Sequence, residues 1–290
     1  KRKKMGGRWI NAIFLSLAIL FVKVQGDEYY PHGLNLTNFD GENGFTFHID
    51  DDVNIIDLKA EIIGDINGDN FEDIAVTYRS FLNYARVFVI YGRKRYENIE
   101  MTASALKKGK YGFVIYLASK SMDSGPISIS GAGDVNHDGF DDLLIGFQWY
   151  ASDDENLYEG KVFLFMGKKE FPPGVDLDES IQFGLGFSQF AQLGFDVSSA
   201  GDFNCDGIDD FMISAPHPET TSVYIIFGGQ TFPKFFNLSQ IDGKNGILIY
   251  SDVFILGRSI AGGGDFNGDW CDDIAISAEE AGRVFFLYGH

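Results

Sequence analysis

Four short apolar runs, each opening on an aspartate, punctuate the chain: DIAVTY from Asp73, DLLIGF from Asp142, DFMISA from Asp210 and DIAISA from Asp273. Each is followed by a second run that ends in glycine: VFVIYG from Val87, VFLFMG from Val162, VYIIFG from Val223 and VFFLYG from Val284. Their β-branched and aromatic content predicts strands, and they are too short for helices. A third element alternates after a DG or NG turn. LNLTNFDGENGFTFHI at 34–49 matches FNLSQIDGKNGILIY at 236–250, with more degenerate counterparts near 111–117 and 180–187.

The first run of every unit follows an acidic stretch: GDINGDNFED from Gly64, GDVNHDGFDD from Gly133, GDFNCDGIDD from Gly201 and GDFNGDWCDD from Gly264. These loops begin at Asp65, Asp134, Asp202 and Asp265, at separations of 69, 68 and 63 residues. Such a period marks a repeat architecture. About four short antiparallel strands per unit make the blade of a β-propeller, and a meander buries both faces only by stacking against its neighbours. The expected fold is therefore all-β, a β-propeller of four-stranded antiparallel blades. Its units are expected at about 34–92, 97–167, 175–228 and 236–289. The 28 Phe and 35 Gly against 7 Pro fit short strands joined by tight turns.

Within each loop, oxygen-bearing side chains alternate. Position 1 is Asp65, Asp134, Asp202 or Asp265, and position 3 is Asn67, Asn136, Asn204 or Asn267. Position 5 is Asp69, Asp138, Asp206 or Asp269, and position 9 is Asp73, Asp142, Asp210 or Asp273. Alternate residues of a tight loop aim at one centre. The backbone carbonyl of position 7 (Phe71, Phe140, Ile208, Cys271) can add another oxygen. An all-oxygen set suits calcium; magnesium holds to a stricter, more hydrated octahedron. No His or Cys side chain recurs at a ligand position, which argues against zinc. An EF-hand needs a bidentate Glu at position 12, where this chain has Val76, Ile145, Ile213 and Ile276. A solvated acidic turn accounts for one copy of the spacing but not for four between the same two strands. Up to four calcium ions are expected. Position 6 needs a residue tolerant of positive φ; Gly139, Gly207 and Asn70 suit it, whereas Trp270 predicts a distorted fourth loop.

Residues 1–26 have a basic start, an apolar core from Trp9 to Val22 and a small residue at Gly26. This is the anatomy of a signal peptide, and the core is shorter than a spanning helix requires. Removing its six Lys or Arg takes the formal charge from −19 to −25. Such a surface repels nucleic acid and anionic membranes. Membrane contact is expected only through sequence outside this chain. Asn35 and Asn237 head N-glycosylation sequons. Cys205 and Cys271 sit in loops of different repeats; a bridge between them is one reading, but separate loops are expected to hold them too far apart, and they are read as free thiols or as partners of cysteines outside this chain. The five histidines share no repeat position. There is no H-E-x-x-H, G-x-S-x-G or phosphate-loop motif.

These loops, with Leu193-Gly194 and Leu256-Gly257 eight residues ahead of two of them and Ser214–Pro216 after the third, resemble the FG-GAP repeat that builds the N-terminal β-propeller of integrin α subunits. The resemblance covers roughly residues 34–289. It departs from the pattern at Asp57 and Pro126, where the glycine of FG is expected. It implies that the side chains of positions 1, 3, 5 and 9 bind calcium. It implies a non-catalytic extracellular or cell-surface recognition module, calcium being structural and a protein or glycan ligand sitting on one propeller face. The alternative is an accessory propeller of a secreted phospholipase-like enzyme whose catalytic domain lies outside this chain. Family propellers have seven blades and this chain has four units, so a piece of a larger ring is expected. The segment near 45–49 reads as an outer, fourth strand suited to complete the last blade.

Overall fold

The computed structural model describes residues 44–50, 55–80, 85–95, 101–117, 125–150, 159–185, 191–217, 221–229, 231–252 and 254–290, with the backbone of 18–19. Two compact units are distinguished, residues 1–50 with 95–103, and residues 51–94 with 104–290. In the first, β1 (Ala18–Ile19) pairs antiparallel with β2 (Phe45–His48), which pairs parallel with β6 (Met101–Thr102). Apart from Ala18–Ile19, the segment read as a leader lies outside the described residues, as does Asn35.

The second unit is a β-propeller array of successive antiparallel sheets. The first blade runs β3 (Ile55–Gly64), β4 (Asp73–Ser80), β5 (Ala85–Ile90) and β7 (Gly112–Tyr116). The second runs β8 (Ile127–Gly133), β9 (Asp142–Phe147), β10 (Lys161–Phe165) and β12 (Ile181–Gly184). The third runs β13 (Val197–Gly201), β14 (Asp210–Ala215), β15 (Ser222–Ile226) and β17 (Gly246–Tyr250). Among the described residues the last sheet is β18 (Ile260–Gly264), β19 (Asp273–Ala278) and β20 (Arg283–Leu287). Two short strands that the apolar pattern does not announce, β11 (Gly174–Asp176) and β16 (Phe235–Asn237), add in parallel to the outer strands β7 and β12. Each carries the chain from one blade past the edge of the blade before it.

The second strands of the first three blades, β4, β9 and β14, are mostly apolar because both of their faces are buried. In β9, Leu143, Ile145 and Phe147 pack in a core shared with the first blade, whereas Leu144 faces a core shared with the third. In β10 the same division falls between Phe163 and Phe165 on one side and Val162 and Leu164 on the other. In β15, Tyr224 and Ile226 face the second blade, and Val223 and Ile225 face the fourth. Full burial of one such side chain contributes about 1.5–3 kcal/mol. The stacking of blades, rather than any single sheet, is what holds the unit together. The inner strands β3, β8, β13 and β18 pack in succession, which brings the four acidic loops into one row, each loop joining the first strand of its blade to the second.

Candidate cation-binding loops

All four loops share one backbone. Positions 4 and 6 are left-handed in each: Gly68 and Asn70, His137 and Gly139, Cys205 and Gly207, Gly268 and Trp270, with φ between 58° and 91°. The distortion expected at Trp270 is not found; its φ is 79°. The residue tolerates this conformation because its N–H is held by the Asp265 carboxylate at 3.0 Å while its ring, 92 % exposed, meets no obstacle.

The carboxylates organise the turn. Position 1 accepts the N–H groups of positions 5 and 6: Asp134 takes Asp138 at 2.9 Å and Gly139 at 2.8 Å, and Asp65 and Asp265 do the same in their loops. Position 3 accepts the N–H of position 5 through Asn67, Asn136, Asn204 and Asn267. Position 5 accepts the N–H of position 7 at 2.9–3.0 Å in all four copies.

Position 9 is the buried anchor. One oxygen of Asp73, Asp142, Asp210 and Asp273 accepts the N–H of position 2. The other accepts the N–H of the glycine that closes the following strand run: Gly92, Gly167, Gly228 or Gly289. That glycine is required by close approach. A Cβ there would lie 2.2–2.3 Å from the carbonyl oxygen of position 8. Burial pushes the carboxyl of Asp142 up to about 8 and those of Asp73 and Asp210 up to about 7, against the lowering effect of the N–H bonds they accept. The acids at positions 1 and 5 raise them further, so these three anchors sit where negative charge is costly and a cation would relieve it.

Position 8 carries a role that the alternating pattern conceals. Asp141, Asp209 and Asp272 each reach back to the preceding loop and accept the N–H of its position 1: Asp65 at 2.6 Å, Asp134 at 2.9 Å and Asp202 at 3.0 Å. Two reciprocal backbone bonds, from Asp141 to Asp65 and from Asp272 to Asp202, run beside them. The signal was present in sequence as a second acid beside position 9 in every copy. A further link is covalent. Cys205 and Cys271 form a disulfide, with 5.2 Å between their Cα atoms. The expectation of unbridged thiols is thus corrected: blade stacking sets position 4 of the third loop beside position 7 of the fourth.

The donor set at each loop is all oxygen, as a hard cation prefers. Asp202 Oδ1 is buried and accepts no hydrogen bond, whereas the same oxygen in the other three loops takes the N–H of position 5. A buried carboxylate oxygen without a donor fits a cation ligand. Among the described residues no group of three or more His, Cys, Asp or Glu converges as a metal cluster; the carboxylates are turned onto the loop N–H groups instead.

Row, blade and loop together define a repeat β-propeller. The family model of the FG-GAP repeat matches residues 126–165, a span that includes the second loop. The chain also resembles integrin α subunits. It is 27 % identical over 236 residues to integrin alpha pat-2 of Caenorhabditis elegans, covering 77 % of this chain and 18 % of that protein. It is 29 % identical over 234 residues to integrin alpha-PS2 of Drosophila melanogaster, covering 78 % and 15 %. It is 32 % identical over 158 residues to integrin alpha-2 of Mus musculus, covering 53 % and 13 %. The chain thus spans less than a fifth of the length of these relatives. No helix among the described residues is long and apolar enough to cross a membrane.

Proposed function

We propose that the chain is a calcium-binding, non-catalytic recognition propeller of an extracellular or cell-surface protein. Calcium would be held in each loop by the side chains of positions 1, 3, 5 and 9 and the carbonyl of position 7. When bound, it offsets the mutual repulsion of the clustered carboxylates and ties two strands of a blade to the loop between them. The observation that carries this reading is the fourfold recurrence of one loop backbone with one all-oxygen donor set, one copy holding a buried oxygen without a donor. The disulfide fits an oxidising compartment, as do the sequons at Asn35 and Asn237, which we take as glycosylation sites. The ligand would be a protein or glycan bound on one face of the propeller, by analogy with the integrin α relatives.

The test is thermal unfolding of the full chain with calcium titrated against EDTA. A ligand that binds only the folded state adds about 2.7 kcal/mol per site at 100 times its dissociation constant. A calcium-specific rise in the midpoint, smaller in Asp138→Ala, is expected. A cooperative melt indifferent to calcium would return the loops to plain acidic turns.

A further inference from the structure

Each of the three interfaces between successive blades places the same two grips on the loop before it. The position 8 carboxylate of the later loop accepts the position 1 N–H of the earlier one, Asp141 from Asp65, Asp209 from Asp134 and Asp272 from Asp202. The residue after the later blade's closing glycine donates to the position 2 carbonyl: Lys168 to Ile66 at 3.0 Å, Gly229 to Val135 at 2.8 Å and His290 to Phe203 at 3.0 Å. That glycine is in turn tied to the later loop's own anchor, Gly167 to Asp142, Gly228 to Asp210 and Gly289 to Asp273. Position 2 is buried in all three earlier loops.

The backbone that presents the position 1 carboxylate is therefore fixed from the next blade. Position 1 is the side chain on which each loop turns, since Asp134 accepts the N–H groups of Asp138 and Gly139, yet the acceptor of its own N–H lies 75 residues on, at Asp209. We propose that the position 8 aspartate is a positioning residue for the cation of the preceding loop, Asp209 setting Asp134 as Asp141 sets Asp65 and Asp272 sets Asp202. This rests on the calcium reading above and deepens it: the full set of groups that makes one site is divided between two repeats. Position 8 does not touch the ion. It orients a residue that does, and losing such a partner commonly lowers metal affinity by about tenfold or more.

The experiment uses the full chain and terbium(III) in place of calcium. Trp270 shows that this backbone carries an exposed tryptophan at position 6, and a Cβ on Gly139 meets nothing within 4 Å. Gly139→Trp, with Trp270→Phe to remove the fourth loop's own signal, thus lets the second loop sensitise terbium emission. In this parent, Asp209→Ala should raise the terbium midpoint about tenfold or more. Asp141→Ala, although it lies within the second loop, should raise it far less, because that carboxylate serves the first. Asp209→Asn should restore most of the affinity, since its amide oxygen can still accept the Asp134 N–H. With the reporter moved to the first loop by Asn70→Trp, Asp141→Ala becomes the damaging change; this arm decides the matter if Asp209→Ala does not melt cooperatively at saturating calcium. Equal losses from Asp141→Ala and Asp209→Ala at the second loop overturn the proposal. So does an asparagine variant as weak as the alanine one, since charge alone would then be acting, and so does an Asp209→Ala midpoint equal to the parent's. If no reporter gives terbium emission and the melt of the unsubstituted chain ignores calcium, the calcium reading itself falls and this inference with it.

Discussion

Gly133→Ala and Gly264→Ala place one methyl group at the same repeat position with opposite expected outcomes. At Gly133 the backbone has φ +80°, and the new Cβ would lie 2.4 Å from Asp209 Oδ2, the oxygen that accepts the Asp134 N–H. A left-handed alanine costs about 1–2 kcal/mol. Displacing the carboxylate forfeits a hydrogen bond to a charged group, about 1.5–3 kcal/mol. The sum is about 2.5–5 kcal/mol. At Gly264 a Cβ meets nothing within 4 Å, and the change should stay within about 0.5 kcal/mol, as isolated surface substitutions do. Denaturant unfolding of both variants in EDTA, with slopes checked for constancy, gives the two values. A double-mutant cycle isolates the cause. In an Asp209→Ala background the obstacle is gone, so Gly133→Ala should lose only its left-handed strain, a coupling of about 1.5–3 kcal/mol. Equal costs at Gly133 and Gly264, or a cycle without coupling, would refute the idea that position 8 stitches one loop to the next.

The anchor carboxyls set a pH dependence. An acid whose folded pKa is raised contributes stability that is present below its unfolded value and lost as pH rises through the folded one. With Asp73 and Asp210 raised from 3.8 to about 7 and Asp142 to about 8, the melting midpoint in EDTA should fall as pH rises from the ordinary carboxyl value to these raised ones and level off above them, and saturating calcium should flatten the slope. A slope the same with and without calcium would disconnect the anchors from the cation. Near the end of the third blade's second strand, Ser214 Oγ accepts the Asp196 N–H at 2.9 Å and donates to the Asp196 carbonyl at 3.2 Å. Ser214→Ala should cost about 1–3 kcal/mol by denaturation. Ser277→Ala should cost less, because the Ser259 N–H that it leaves, held at 2.9 Å, is exposed and can turn to water.

What was legible in sequence follows from which constraints are local. The runs from Asp73, Asp142, Asp210 and Asp273 became β4, β9, β14 and β19 because strands packed between neighbouring sheets are mostly apolar, on both faces in β4, β9 and β14, a pattern visible without knowing the neighbours. The loops were legible because alternating oxygens and left-handed turn positions are demands of one short segment on itself. Position 8 was not, because its partner lies in another blade, 76 residues away for Asp141 and Asp65. The disulfide was misjudged for the same reason, although its arithmetic was available. The third and fourth loops begin 63 residues apart and the cysteines stand three positions out of register, which makes the separation of 66. Stacking converts one repeat period into adjacency, so residues about one period apart are neighbours rather than strangers. Trp270 failed in the other direction. A propensity rule was applied to a residue whose N–H is fixed by a carboxylate and whose ring is free in solvent, so a cost of about 1–2 kcal/mol is outweighed by the turn. Read at the period of the repeat, the second acid and the two cysteines carry the same message: these loops are built in pairs, each completed by the blade beside it.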